Sequence, residues 1–142
     1  MKKFFLILLS VVAMTAFVSC KEETVITDKL PETANTFLNT YFDGIEVIVV
    51  VKESDGYEVG LVDGTNIDFR LDGTWKKVDC DDRAVPEGFF PEKISNYVKE
   101  VYTVAYIEEI EFDNDRYKVG LNYPRDVNLF FDSEGNFIGF DD

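Results

Sequence analysis

The sequence predicts an α+β fold of two tandem helix-plus-antiparallel-sheet repeats, and three observations carry that expectation. A proline-started amphipathic stripe occurs twice, 60 residues apart. Each stripe is followed by short alternating segments of strand character. The interval changes once, and the change falls in a turn, where insertions are best tolerated.

The first stripe follows Leu30-Pro31-Glu32 and the second follows Phe90-Pro91-Glu92. Ala34, Phe37, Leu38, Tyr41 and Phe42 recur at i, i+3, i+4, i+7 and i+8, as do Ile94, Tyr97, Val98, Val101 and Tyr102. That spacing lays one apolar face along a helix. Proline at the first helical position gives up only a donor that would be unpaired there, and the glutamate after it suits the positive helix end. Asp43-Gly44 supplies a stop for the first helix.

The strands follow. Ile45 to Lys52 is β-branched and ends at Asp55-Gly56. Tyr57, Val59 and Leu61 alternate with Glu58 and Gly60; Ile67, Phe69 and Leu71 alternate with Asn66, Asp68 and Arg70. Asp63-Gly64 between them predicts a two-residue hairpin with positive φ at both positions. In the second copy Tyr117, Val119 and Leu121 match at an interval of 60, and Leu129, Phe131 and Phe137 match at 62. The longer turn Tyr123-Pro124-Arg125-Asp126 absorbs the difference. About four strands per copy make a small core, so the two sheets are expected to join.

Residues 1–19 read as a lipoprotein signal peptide. Lys2 and Lys3 precede Phe4 to Phe17, an apolar run of about 14 residues, short for a membrane span. Phe17-Val18-Ser19-Cys20 resembles a lipobox, with Phe17 where leucine is usual. Cys20 is the expected lipidation site. Residues 20–29 form the lipidated cysteine and tether, at most about 33 Å long. Residues 30–142 form the folded domain, as repeat 1 (30–80) and repeat 2 (89–142). Lys21-Glu22-Glu23-Thr24 is similar to the surface-export signals of Bacteroidetes lipoproteins. The expectation is an exported, membrane-anchored lipoprotein of the outer membrane, on its periplasmic or surface face.

Composition narrows the chemistry. The chain has 14 basic and 28 acidic residues and no histidine. Without residues 1–19, which hold Lys2 and Lys3 but no acid, 12 basic face 28 acidic residues, a net charge of −16. Such a field disfavours nucleic acid and favours cations, basic peptides or basic protein surfaces. Lack of histidine removes the commonest general base and transition-metal ligand. Ser54, Ser95 and Ser133 stand in no nucleophile-elbow context, and phosphate-loop and dinucleotide glycine patterns are missing. No enzyme is expected. With Cys20 lipidated, Cys80 has no disulfide partner, and Asp79, Asp81 and Asp82 around it disfavour a thiolate.

The candidate binding residues lie opposite the core on the strands: Glu58, Asp68, Arg70, Lys118 and Phe130, with Gly60 and Gly120 on the same face. Phe130 reads either as an anchor for a partner or as a residue covered by a helix or loop. Trp75 and Phe137 read as hairpin packing. Two acidic clusters at turns, Asp79/Asp81/Asp82 and Asp113/Asn114/Asp115, supply oxygen donors suited to calcium, without EF-hand spacing. Aspartate and asparagine also favour turns for their own backbone hydrogen bonds.

Taken in order, these features resemble the PepSY-like family of Bacteroidetes exported proteins. The pattern is a Leu-Pro-started helix, a Tyr-x-Val strand and a Phe-x-x-x-Gly-x-aromatic hairpin, given twice. It stands here as Leu30-Pro31, Tyr57-Glu58-Val59 and Phe69 to Trp75, then as Phe90-Pro91, Tyr117-Lys118-Val119 and Phe131 to Phe137. Phe90 in place of leucine and the longer Tyr123-Pro124 turn depart from it. The resemblance implies a fold like that of β-lactamase inhibitor protein: one curved, about eight-stranded sheet with helices on one face. It also implies an envelope location and a non-enzymatic role in binding a protein or peptide, inhibitory or regulatory, with no cofactor. The alternative is a calcium-binding or calcium-regulated periplasmic protein.

Overall fold

The computed structural model describes residues 30–141; the expected signal peptide, Cys20 and the tether lie outside the described residues. Helix α1 (Glu32–Tyr41) precedes β1 (Val47–Lys52), β2 (Gly56–Leu61), β3 (Asn66–Arg70) and β4 (Trp75–Asp79). Helix α2 (Glu92–Val101) precedes β5 (Ile107–Asp113), β6 (Arg116–Leu121), β7 (Asn128–Asp132) and β8 (Phe137–Asp141). The eight strands form one antiparallel sheet in sequence order, β1 to β8. Both helices bury their apolar stripes against the same row of strand residues, among them Val50, Val59, Ile67, Val78, Ile110, Val119 and Leu129. The α+β expectation, with helices on one face of a joined and curved sheet, holds.

Both helices start after a proline with φ near the helical value, −57° at Pro31 and −58° at Pro91. The glycine of each β3–β4-type hairpin lies under its own helix start. A Cβ on Gly73 would stand 2.9 Å from the Pro31 side chain, and one on Gly135 2.7 Å from that of Pro91. The repeated glycine of the hairpin motif is therefore a packing requirement, since the hairpin tip touches the first helical turn.

Four details differ from the sequence expectation. The Asp63-Gly64 turn is a three-residue loop: Leu61 N–H donates to Thr65 O (2.9 Å), and only Gly64 takes positive φ (+95°). Asp63 stays on the ordinary side because its carboxylate accepts from the Thr65 N–H (3.0 Å), and a glycine bulge then closes the loop. Leu71 is exposed rather than inward, because β3 ends at Arg70 and Leu71 opens the same kind of loop, closed by Arg70 N–H to Thr74 O. Val101 is exposed because α2 ends there, leaving Tyr102 to continue the stripe. Finally, β1 begins at Val47, two residues after Ile45.

Register shifts occur at matching places in the two halves: near Ile48 and Glu108 on the first strands, and near Lys76 and Ile138 on the fourth. Gly60 and Gly120 pair with Val49 and Glu109, directly beside the first-strand bulges. Such bulges bend a strand and raise its twist, which is how a sheet this wide curves around two helices.

The halves meet at β4–β5, which pair at only three positions. Past these, the Arg70 guanidinium donates to the carbonyls of Trp75 (2.6 Å) and Phe112, bridging the strands where their ladder has ended. On the helix side, Phe89 of the connecting segment packs against Phe37 and Tyr41 of α1 and Trp75 of β4, with ring centroids 4.9–5.1 Å apart. Trp75 lies 6.3 Å from Tyr117 of the second half. Aromatic packing thus closes one core across the joint.

Candidate functional site

The face opposite the two described helices carries one transverse line of residues across the whole sheet. From β1 to β8 it runs Val51, Glu58, Asp68, Lys77, Glu111, Lys118, Phe130, Gly139, each register-paired with the next. The structure therefore places Glu58, Asp68, Lys118 and Phe130 on one line. A second line beside it carries Gly60, Asn66, Asp79, Glu109, Gly120 and Asn128.

Charges of both signs lie along the first line, two acids (Glu58, Asp68) followed by Lys77, Glu111 and Lys118. Lys77 sits at its centre, 3.4 Å from Glu109. Burial alone would lower its pKa, but Glu109, Glu111 and Asp68 outweigh burial and raise it. Asp68 is held above the usual carboxylate range by burial first, with Lys77 pulling the other way and Glu53 and Glu111 adding repulsion. Glu58 is raised by its hydrogen bond with Glu53, then by burial, then by Asp68. The β1–β3 end is thus acidic and the β6–β7 end basic and aromatic.

Phe130 is half-buried, on the face opposite both described helices. The Arg116 guanidinium lies over its ring, 4.6 Å from the centroid, and Lys118 stands opposite it on β6. A shallow depression there is lined by Glu111, Asp113, Asn114, Arg116, Lys118 and Phe130. Arg70 shares the face by register, but its guanidinium is engaged with the carbonyls at the β4–β5 joint.

Lys77, Glu111 and Arg116 are site residues that sequence reasoning missed. Strict alternation from Trp75 would turn Lys77 toward the core; the bulge at Lys76 reverses the face, so Trp75 packs inward and Lys77 points outward. The offset at which Trp75 and Val78 both prove apolar was the available signal. Trp75 and Phe137 are packing residues, with Phe137 stacked on Tyr97 at 4.5 Å.

The acidic turns are occupied by local bonds. Asp79 accepts from the Asp81 N–H (2.9 Å), and Asp82 pairs with Arg125 at 3.6 Å. Asn114 and Asp115 both take positive φ in a tight β5–β6 turn. Among the described residues no group of three or more His, Cys, Asp or Glu is arranged to hold a metal ion. Glu108, near the first cluster, has one carboxylate oxygen buried without a partner, and burial raises its pKa first, Arg125 opposing and Asp79, Asp82 and Asp81 adding to it. The Cys80 thiol is also pushed up, first by burial, with Thr65 and Arg83 opposing and Asp63 and Asp79 adding to it. A cleft of about 330 Å³ between the connecting segment, α2 and β5 is lined by Val85, Phe90, Val98 and Ile107, with Glu87 and Lys99 paired at 3.2 Å beside it. Among the described residues no helix is long and apolar enough to cross a membrane.

Comparison with known proteins extends these observations. Residues 55–139 match the family model described as "Putative beta-lactamase-inhibitor-like, PepSY-like". A solved protein of Bacteroides thetaiotaomicron, described as a "putative calcium-regulated periplasmic protein", is 31% identical, with 84% of this chain and 96% of that one covered and a TM-score of 0.78. Two proteins of Bacteroides vulgatus, each described as a "putative periplasmic protein", are 31% and 30% identical. They cover 87% and 84% of this chain and 98% and 97% of their own, with TM-scores of 0.77 and 0.78. Among curated proteins none matches the chain. The periplasmic descriptions of the solved relatives support an exported protein.

Proposed function

This chain belongs to the PepSY-like, β-lactamase-inhibitor-like family, and on that premise we propose that it is a non-enzymatic envelope lipoprotein that binds a protein or peptide through the face of its sheet opposite the two described helices. The observation that carries the reading is the transverse line from Glu58 to Phe130. It offers an acidic end and a basic end for orientation and one aromatic side chain beside two cations for anchorage. Aromatic and arginine side chains dominate binding energies, and charge complementarity sets encounter and register. An inhibitory or regulatory effect follows if the captured surface is itself active. Cys20 as a lipid anchor would hold the face near the outer membrane, on a tether of at most about 33 Å.

The test is capture from envelope extract with the wild-type protein, Phe130→Asp, Lys118→Glu and, as a control on the outer side of α1, Asn39→Asp. The reading expects partners retained by the control and lost from both face variants. Identical partner sets for all four proteins would remove the proposed face. Metabolic labelling with a fatty acid, lost in Cys20→Ser, tests the anchor.

A second reading, a calcium-regulated protein, draws on the description of the 31% identical relative. Calorimetric titration with calcium decides it: no heat and an unchanged melting temperature would dismiss it.

A further inference from the structure

Apart from one bulge each, both outer edges of the sheet lack, among the described residues, the features that usually protect one. Natural edge strands are blunted by charge, proline, a bulge or a covering element. Strand β1 reads Val47-Ile48-Val49-Val50-Val51-Lys52 and β8 reads Phe137-Ile138-Gly139-Phe140-Asp141, so charge appears only at one end of each. Ile48, Ile138 and Phe140 are 56%, 54% and 63% exposed. Among the described residues no strand pairs with the outer side of either.

The protein already contains the joint that two such edges could make. Inside the chain, a fourth strand (β4) pairs with a first strand (β5) through Lys77↔Glu111, Val78↔Ile110 and Asp79↔Glu109. By position, β8 is the second fourth strand and β1 the other first strand, each with the bulge of its counterpart. The side chains differ in a coordinated way. At the internal joint Lys77 is set between Glu109 and Glu111. At the outer edges Gly139 replaces the lysine, while Val49 and Val51 replace the two glutamates. Val78, fully buried at the internal joint, corresponds to Phe140, which is mostly exposed. Charge has been removed from both sides of the Lys77–Glu111 pair, so Gly139 and Phe140 are left opposite Val51 and Val50, while Asp141 keeps the charge of Asp79.

We propose that β8 of one copy pairs with β1 of a second copy in the β4–β5 register, continuing the sheet from molecule to molecule. Asp141 then pairs with Val49 of the second copy, Phe140 with Val50 and Gly139 with Val51. The contact is heterologous, so it propagates rather than closing as a symmetric dimer. One strand pair buries little surface, which makes the association weak and concentration-dependent. The net charge opposes it, so salt strengthens it.

The experiment uses the chain from Lys21 onward, which includes every buried core residue, all between Leu30 and Phe131. Weight-average mass is measured by light scattering from about 10 to 500 µM, at about 0.15 M and 1 M salt. The proposal expects the mass to rise at least twofold at the top of the range, more at high salt, and to stay at one chain in Phe140→Asp, which sets a charge opposite Val50 of the second copy where the internal joint pairs Val78 with Ile110. Asp141→Cys and Val49→Cys proteins are then mixed and oxidised. A mixed disulfide in at least tenfold excess over either self-linked dimer supports the register. A constant monomer mass, a Phe140→Asp protein that associates as the wild type does, or self-linked Asp141→Cys as the main product would each overturn the proposal.

Discussion

Replacing Gly73 with alanine tests the reason given for the repeated hairpin glycine, and Gly64 provides the control. Both residues close three-residue loops with similar φ, +87° and +95°, so alanine suffers the same left-handed penalty in each, about 1–2 kcal/mol. Their surroundings differ. A Cβ on Gly64 meets nothing within 4 Å, whereas one on Gly73 stands 2.9 Å from the Pro31 side chain and 3.0 Å from the Ala34 backbone nitrogen. The second obstacle is backbone, so the start of α1 must shift, an overpacking cost of about 1–3 kcal/mol. Gly64→Ala should therefore lose about 1–2 kcal/mol and Gly73→Ala about 2–5 kcal/mol. Urea titrations followed by circular dichroism and Trp75 fluorescence measure both. If Gly73→Ala proves no less stable than Gly64→Ala, the hairpin does not depend on its contact with the helix, and the account of the motif is wrong.

Other expectations follow from the joint and the open face. Arg70→Ala leaves the Trp75 and Phe112 carbonyls without their charged donor and should cost about 2–3 kcal/mol, read from the urea midpoint; a loss under about 0.5 kcal/mol would show that water replaces the guanidinium. Phe89→Ala opens the aromatic joint and should cost about 3 kcal/mol, with Trp75 emission shifting red in the native baseline; an unshifted baseline would place the Trp75 contact elsewhere. Stability should rise as pH falls from 7 toward about 4.5, because Asp68, Glu58 and Glu108 bind protons more readily folded than unfolded. Below about 4 the trend reverses, since Asp63 and Glu87, with lowered folded pKa values, lose their contribution as they protonate. A melting temperature that falls steadily from pH 7 downward would contradict this assignment, and Asp68→Asn should flatten the rising limb.

The sequence by itself determined the element order, the two helix faces, the inward sets on β2, β3, β6 and β7, and the placement of Glu58, Asp68, Lys118 and Phe130 away from the core. These depend on spacing along a few residues, 3.6 for a helix and 2 for a strand, and local spacing is what a sequence displays. Tertiary structure decided the rest. Bulges at Ile48, Lys76, Glu108 and Ile138 reverse which side alternate residues face, so Lys77 joined the open face while Trp75 stayed inside. A bulge depends on how two strands pair, and the strand read alone shows it only as a break in alternation, such as apolar Trp75 and Val78 three residues apart. Arg70, predicted to face a partner, meets the carbonyls of two strands that only the joining of the halves brings within reach. The same joining buries Val78 and leaves Phe140 exposed, since equivalent residues are covered only where a neighbouring strand exists to cover them.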